Sequence, residues 1–297
     1  MKEDLSKIMS ELNIKMYGTC SPSIDLEYQN KVKSSIEKKY NCSFIKEDYL
    51  TTMNPNLYLN ECKGIIAIAI PYHQNTKKVN KNQTMFSSSS WGVDYHIVVK
   101  NKLEKIIEKS KQLYPNDSFI SLVDNHTLDE RYYAYKSKIG FYNSNGLITN
   151  KEYGCNIFLG IILTTYKFKD SIPETKPQYD EIYEKVCPGN AISKDGINYN
   201  KCISFLTQKK ELTKEEENKI NNLVYGCDIC TTVCKLNKEK DIPEEFEFDE
   251  NVIFDLNEEF NLSNNEFKNK YKKYAGSWRG KNIIKRNFNL IKQNKNK

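Results

Sequence analysis

Five cysteines, Cys187, Cys202, Cys227, Cys230 and Cys234, fall within one stretch of a 297-residue chain that carries nine in all. Outside an oxidising compartment, thiols clustered in this way serve a metal centre rather than disulfides. Their spacing refines the chemistry: Cys187 precedes Pro188, and the later trio reads Cys227-x2-Cys230-x3-Cys234. In two-cluster iron–sulfur proteins a C-x2-C-x2-C-x3-C-P run sends its last thiolate to the other cluster. By that rule Cys187 joins Cys202, Cys227 and Cys230 in one four-thiolate [4Fe-4S] site, and Cys234 is left to a second. The second cluster's other ligands should stand ten, seven and four residues before Cys187, where the chain has Pro177, Asp180 and Tyr183. One cluster is therefore expected. A four-thiolate zinc site is the competing reading, because C-x2-C knuckles serve zinc equally well. Cys20, Cys42, Cys62 and Cys155 stand singly and are expected as small buried thiols.

The elements that must position such groups follow from periodicity. Leu5, Ile8, Met9 and Leu12 are spaced for a helix over residues 3–15, and residues 64–70 form an apolar strand stopped by Pro71. Val98, Leu103, Ile106 and Ile107 predict a long helix over 94–113, closed by Pro115 and followed by a strand over 118–123 with Asp124 at its end. A helix over 130–138 capped by Gly140, then an apolar strand over 155–166, complete an alternation that reads as an α/β domain over residues 1–170. In open α/β sheets ligands sit beyond the carboxyl ends of strands, which directs attention to Asp124 and the loop after it. A helix N-cap is the competing role for Asp124. A linker with Pro173 and Pro177 leads into the cysteine-rich segment, 171–240. Residues 241–297 read as an acidic linker, continuing the acids gathered from Glu239 to Glu250, and a strongly basic helical tail.

Lys and Arg total 45 against 39 Asp and Glu, and the resulting +6 permits a polyanionic partner without demanding one. Only Arg131, Arg279 and Arg286 supply planar, bidentate donors. Hydrophobic residues are 38%, with 20 Tyr and 13 Phe, which argues against wholesale disorder despite a mean hydropathy of −0.70. No apolar run approaches the ~18 residues of a membrane span. The N-terminus mixes acids and bases on an amphipathic pattern unlike a signal peptide, so a cytoplasmic chain is expected.

Several separated strings then converge: Gly92-x-Asp94-Tyr95-His96, Val123-Asp124 followed by Glu130-Arg131, Ile139-Gly140-Phe141, Cys187-Pro188, the run from Lys201 to Thr207, Tyr225-Gly226-Cys227-Asp228-Ile229-Cys230, Trp278-Arg279-Gly280 and Arg286-Asn287. Over about residues 50–290 the chain resembles the epoxyqueuosine reductases, cobalamin-dependent iron–sulfur enzymes of tRNA wobble-base modification related to reductive dehalogenases. The resemblance implies an α/β (α+β) cobalamin-binding-type domain followed by a ferredoxin-like 4Fe-4S domain with a helical C-terminal tail. It implies a corrin near Tyr95 and His96, and Asp124 as the acid that protonates the leaving epoxide oxygen. A corrin face would desolvate Asp124 and raise its pKa. It further implies an electron donor such as ferredoxin or flavodoxin, and tRNA as a partner, with Arg279 and Arg286 of the basic tail as its candidate contacts. His126 is expected as a solvated loop histidine that could add a proton or a cobalt contact. Glu130 and Arg131 are expected as an ion pair, with Arg131 near a phosphate or a propionamide. The chain departs from the family at Pro177, Asp180 and Tyr183, at Lys235 where proline usually follows Cys234, in residues 140–145, which lack a lysine, and at Cys155, where serine usually follows Gly154. These departures leave open a non-catalytic cobalamin- or tRNA-binding paralogue, or a zinc module on the same scaffold.

Overall fold

The computed structural model describes residues 1–44, 53–74, 77–170, 179–220 and 222–295. The expected linker prolines, Pro173 and Pro177, lie outside them. The first part runs α1 (Lys2–Glu11), β1 (Met16–Cys20), α2 (Leu26–Glu37), β2 (Gly64–Pro71), β3 (Gln83–Met85), α3 (Tyr95–Leu113), β4 (Phe119–Leu122), α4 (Glu130–Lys136), β5 (Phe141–Tyr142), β6 (Ile148–Thr149) and β7 (Ile157–Thr164).

All eight residues of β2 are buried, and side chains alternate across a strand, so β2 feeds two cores at once. Ile65, Ala67 and Ala69 pack with Tyr132, Tyr133 and Ala134 of α4. Ile66, Ile68 and Ile70 meet Leu5, Ile8 and Met9 of α1 and Val98, Val99, Leu103 and Ile106 of α3. Helices therefore cover both faces, as the alternation of elements predicts. The sheet order is β1-β2-β7-β4, and every neighbouring pair is antiparallel. The crevice rule for parallel strands consequently does not apply, although Asp124 does follow the carboxyl end of β4. Gly140 is not the cap of α4. That helix ends at Ser137, and Lys138 takes the left-handed turn at φ +62°. Gly140 instead permits a close strand approach, since a Cβ there would lie 2.4 Å from the Thr149 carbonyl oxygen.

The second part contains α5 (Ile182–Val186), β8 (Ile192–Ser193), β9 (Gly196–Ile197), α6 (Ile203–Leu206), α7 (Lys214–Glu217), α8 (Ile229–Thr232), β10 (Ile253–Asp255), α9 (Asn264–Tyr271) and α10 (Lys281–Lys295). β10 pairs antiparallel with the distant β3. One core then joins Met85, Phe86 and Trp91 to Phe205, Leu206, Val224, Phe254, Tyr271, Ile284 and Phe288. The expected acidic linker and basic tail are thus packed against the first half of the chain. Within the acidic stretch, Phe246 is buried, the Glu245 carbonyl accepts from Val93 N at 2.7 Å, and Asp249 accepts from the Tyr274 hydroxyl at 2.6 Å.

Candidate active site

Four thiols are brought together from three loops. Burial raises the pKa of Cys230, and the nearby Cys227, Cys202 and Cys187 thiols raise it further; Cys227 is pushed up to about 12 by the same causes. Backbone amides point at these sulfurs. Ala191 N donates to Cys187 Sγ at 3.3 Å, Phe205 and Ser204 donate to Cys202, and Ile229 donates to Cys227. The Asn145 amide faces Cys230, and its buried Nδ2 has no hydrogen-bond partner. A set of thiols ringed by N–H donors, with one buried donor unused, suits a group that brings additional acceptor sulfurs. No three His, Cys, Asp or Glu among the described residues form a single-ion site.

The loops are locked by backbone geometry and by α10. Gly226, at φ +76°, lies so close to Ser87 that a Cβ would stand 2.1 Å from its Oγ. Asp228 accepts from Ser88 N at 2.8 Å and from its hydroxyl at 3.2 Å. Asn287, fully buried, donates through Nδ2 to the carbonyls of Thr207 at 2.7 Å and Val224 at 2.8 Å, binding the Cys202 and Cys227 strings together.

Asp124 lies in a tight loop after β4 at φ +53°, a strained position for a residue with a Cβ. Its Oδ2 accepts from the Tyr95 hydroxyl at 3.0 Å and faces His96 Nε2 at 3.2 Å. His96 Nδ1 meets Asp94 Oδ1 at 2.7 Å, and Asp94 also caps α3. The Tyr95 ring stacks on Phe158, 4.4 Å between centroids. Burial opposes charge on His96, yet its hydrogen bonds to Asp124 and Asp94 hold its pKa up at about 9. The hydrogen bond from His96, more than that from Tyr95, lowers the pKa of Asp124. The carboxylate is 58% exposed and doubly hydrogen-bonded, and these bonds outweigh what desolvation the chain itself supplies; the expected upward shift belongs to a site covered by a corrin. Nor does Asp124 cap a helix. Asp129 caps α4, accepting from Arg131 N at 2.9 Å.

Two neighbours also differ from expectation. The His126 side chain is 1% exposed, with Nδ1 accepting from Leu128 N at 3.1 Å and Nε2 facing Glu130 Oε1 at 3.4 Å. Glu130 pairs with His126, which the loop before α4 brings back over the start of that helix, and not with Arg131. Arg131 reaches Asp129 at 3.6 Å and donates to the Tyr199 hydroxyl at 3.3 Å. Glu130 Oε1 also accepts from Asp124 N at 3.2 Å, and burial raises the Glu130 pKa. Sequence reading missed Glu130 and Asp94 as members of this site. No local periodicity signals that contact, because His126 lies in the loop and only Glu130 in the helix.

A cavity of about 710 Å³ opens beside Asp124 and is lined by Glu130, Arg131, Lys31, Lys194 and Tyr199. Asn143, Ser144 and Gly146 form part of its wall. The intervening Asn145 faces Cys230, so the thiol site and the cavity lie on two sides of one short turn. Tyr95 and His96 reach the cavity through Asp124.

Residues 53–125 match the family model described as epoxyqueuosine reductase QueG, DUF1730, and residues 184–237 match a 4Fe-4S double cluster binding domain. An epoxyqueuosine reductase of Lactococcus garvieae is 34% identical over 97% of this chain and 85% of its own length. The chain belongs to the epoxyqueuosine reductase family. The Bacillus subtilis epoxyqueuosine reductase is 33% identical over 97% of this chain and 77% of its own length. A crystal structure of epoxyqueuosine reductase with an epoxyqueuosine-modified tRNA-Tyr stem loop superposes with a TM-score of 0.91 at 32% identity, covering 99% of this chain and 81% of that one. A B. subtilis structure, described by a catalytic aspartate loop swung out of the active site, gives 0.90 at 31%, covering 99% and 81%.

In this epoxyqueuosine reductase family member the 4Fe-4S double cluster match over residues 184–237 supports iron and sulfur over zinc for the cysteine-rich segment. Of the three substituted ligand positions, Pro177 lies outside the described residues. Asp180 Oδ1 accepts from Ile182 N at 3.0 Å just ahead of α5, and the Tyr183 hydroxyl accepts from Asn143 Nδ2 at 2.6 Å. No helix among the described residues is long and apolar enough to cross a membrane.

In this epoxyqueuosine reductase family member the fold occupies Arg286 more fully than Arg279. Arg286 Nη1 donates to the carbonyls of Lys209 at 2.6 Å and Lys210 at 2.8 Å, and its Nε and Nη2 donate to Asn287 Oδ1 at 3.0 and 2.8 Å. Its donors are committed to the chain that follows α6. Arg279 donates from Nε to Gln208 O at 2.8 Å and lies over the Trp278 ring at 4.7 Å. Replacing Arg286 with Ala is expected to destabilise the fold by about 2 kcal/mol, through several lost charge-assisted bonds, and to leave the salt dependence of tRNA binding unchanged. Urea unfolding and a salt titration check the two halves.

The His96–Asp124 pair makes stability depend on pH. A raised His96 pKa stabilises the fold fully below its ordinary 6.5 and is lost as pH rises through about 9. The lowered Asp124 pKa acts oppositely, giving stability above the ordinary carboxylate range that is lost on acidification. The urea midpoint of the parent should therefore fall more between pH 7 and about 9.5 than that of His96→Gln. Parallel curves over that window would refute the pairing.

Proposed function

We propose that this chain reduces epoxyqueuosine to queuosine in tRNA, with one [4Fe-4S] cluster on Cys187, Cys202, Cys227 and Cys230 and cobalamin at the Asp124 cavity. The single observation that carries the reading is the turn at residues 143–146. It exposes one side to the cavity beside Asp124 and turns Asn145 towards Cys230. The thiol site and the cavity that Asp124 lines thus share this turn as a common wall. The bound cofactors supply the two electrons that open the epoxide. The chain's own residues do the rest.

Asp124 delivers the proton to the departing oxygen, and His96, kept protonated by Asp94, returns one to Asp124. Tyr95 fixes the carboxylate's orientation. Lys31, Arg131 and Lys194 on the cavity wall suit the phosphates flanking a modified nucleotide. Tyr95, His96 and Asp124 form the edge against which we place the corrin, on the strength of the family resemblance. The α/β part through residue 170 carries that site, and the ferredoxin-like part, 171–240, carries the cluster. A small one-electron carrier, ferredoxin or flavodoxin, supplies the reductant in the cytoplasm.

Metal analysis of anaerobically purified protein, combined with turnover on epoxyqueuosine-containing tRNA, tests the reading. About four irons per chain and formation of queuosine on adding cobalamin and a reductant support it. About eight irons would overturn the single-cluster part, and four irons with no turnover at any reductant strength would overturn the activity.

A further inference from the structure

Cys155 and Cys234 meet in the place left by the missing ligands. Gly154, at φ +80°, packs so tightly on Asn237 that a Cβ would lie 2.1 Å from its Oδ1 and 2.4 Å from its Cα. Asn237 then fixes both cysteines. Its Oδ1 accepts from Cys155 N at 2.8 Å, and its N donates to the Cys234 carbonyl at 3.1 Å. Its Nδ2 donates to Thr231 O at 2.8 Å, anchoring the end of α8. Both cysteines are buried, and Tyr183 closes the site beside Cys234. Apart from Cys234, the Cys155 thiol has only long contacts, to Asn156 Oδ1 at 3.8 Å and Thr231 O at 4.0 Å. The chain has therefore lost the partners Cys234 would have had in a second cluster and has gained a cysteine, in place of the usual serine, that faces it.

We propose that Cys155 and Cys234 form a reversible disulfide that occupies the second cluster's place, closed by peroxide and reopened by a dithiol. The proposal rests on the single-cluster reading above. Cys234 is the nucleophile: Asn237 holds it beside Cys155, and the neighbouring Cys155 and Tyr183 lower its pKa while that of Cys155 rises. The Cys234 thiolate attacks the peroxide O–O bond and becomes a sulfenic acid as one water leaves. Cys155 then attacks that sulfur, the S–S bond forms and a second water departs. Two thiols are oxidised by two electrons, and one peroxide is reduced to two waters. A dithiol reverses the state by two exchanges and is itself oxidised to a disulfide. Closure ties the loop before β7 to the loop after α8.

The test is peptide mapping of the cluster-loaded protein after an equimolar dose of hydrogen peroxide, with alkylation under denaturing conditions and iron measured on the same sample. The expected result is a Cys155–Cys234 cross-linked peptide, two hydrogens lighter than the sum of its parts, that dithiothreitol abolishes while iron is retained. Cys155→Ser should remove the cross-link and leave Cys234 trapped as a sulfenic acid. If peroxide bleaches the cluster, mapping after equilibration in a dithiothreitol redox buffer decides. Separately alkylated Cys155 and Cys234 at every potential, or Cys234 joined to a different cysteine, would overturn the disulfide. Iron content distinguishes the causes. About four irons without a cross-link defeats this proposal alone, whereas about eight irons shows Cys234 to be a ligand and defeats the single-cluster reading as well.

Discussion

Asp124→Asn should lower kcat for epoxyqueuosine reduction by about 10²- to 10⁴-fold, the range of a positioned general acid, with tRNA affinity within about twofold of the parent. The asparagine keeps a carbonyl for the Tyr95 hydroxyl at the same place but cannot carry the transferable proton. Its neighbours define the direction of that proton. His96 is held protonated to about pH 9 by two carboxylates, so at neutral pH the extra proton resides on the imidazole and reaches substrate through Asp124. Single-turnover rates and filter binding of the same tRNA separate chemistry from binding. A parent-like rate would end the assignment, and Glu130, whose pKa burial raises, would become the alternative acid.

Cys227→Ala should abolish the visible iron–sulfur absorbance and reduce turnover to background. Cys227 sits between Gly226, whose contact with Ser87 admits no side chain, and Asp228, which is bonded to Ser88. Its loop therefore cannot shift to recruit another ligand. Cys234 is engaged with Cys155 and cannot substitute. Iron should fall from about four per chain to about three or fewer, since three thiolates cannot complete the site. Retention of four irons would remove Cys227 from the ligand set. The same protein should still unfold cooperatively, because Cys202 and Cys227 pack on the outside of the core around Phe86 and Phe254 and do not belong to its buried centre.

Local patterns were legible where local forces decide them. The run ending at Pro71 could only be a strand buried on both faces, and the long helix after Asp94 announces its cap and its apolar stripe. Strand direction was not legible, because antiparallel and parallel buried strands have the same apolar composition. The role of Arg286 was hidden for a related reason: a cation that binds carbonyls and one that binds phosphate look alike until the carbonyls are in place. His126 shows the limit from the other side. A loop position suggests solvent, but the loop folds back on the start of α4, where Glu130 and the Leu128 amide hold the ring inward. For the cysteines, spacing named the four thiols that the fold brings together. It gave no reason to connect Cys155 with Cys234, because that meeting depends on Asn237 holding two loops distant in sequence.

The pairing of β3 with β10, and of Met85, Phe86 and Trp91 with Ile284 and Phe288, has a consequence for how the chain is made. Residues 83–91 leave the ribosome long before their partners exist, so this core has a high contact order and closes late. Until residue 288 has emerged, Asn287 cannot clamp the Cys202 and Cys227 strings, and the four thiols are not yet neighbours. Cofactor loading must then wait for α10 to emerge. An arrest peptide placed to hold the nascent chain short of α10 would leave the protein unable to accept iron.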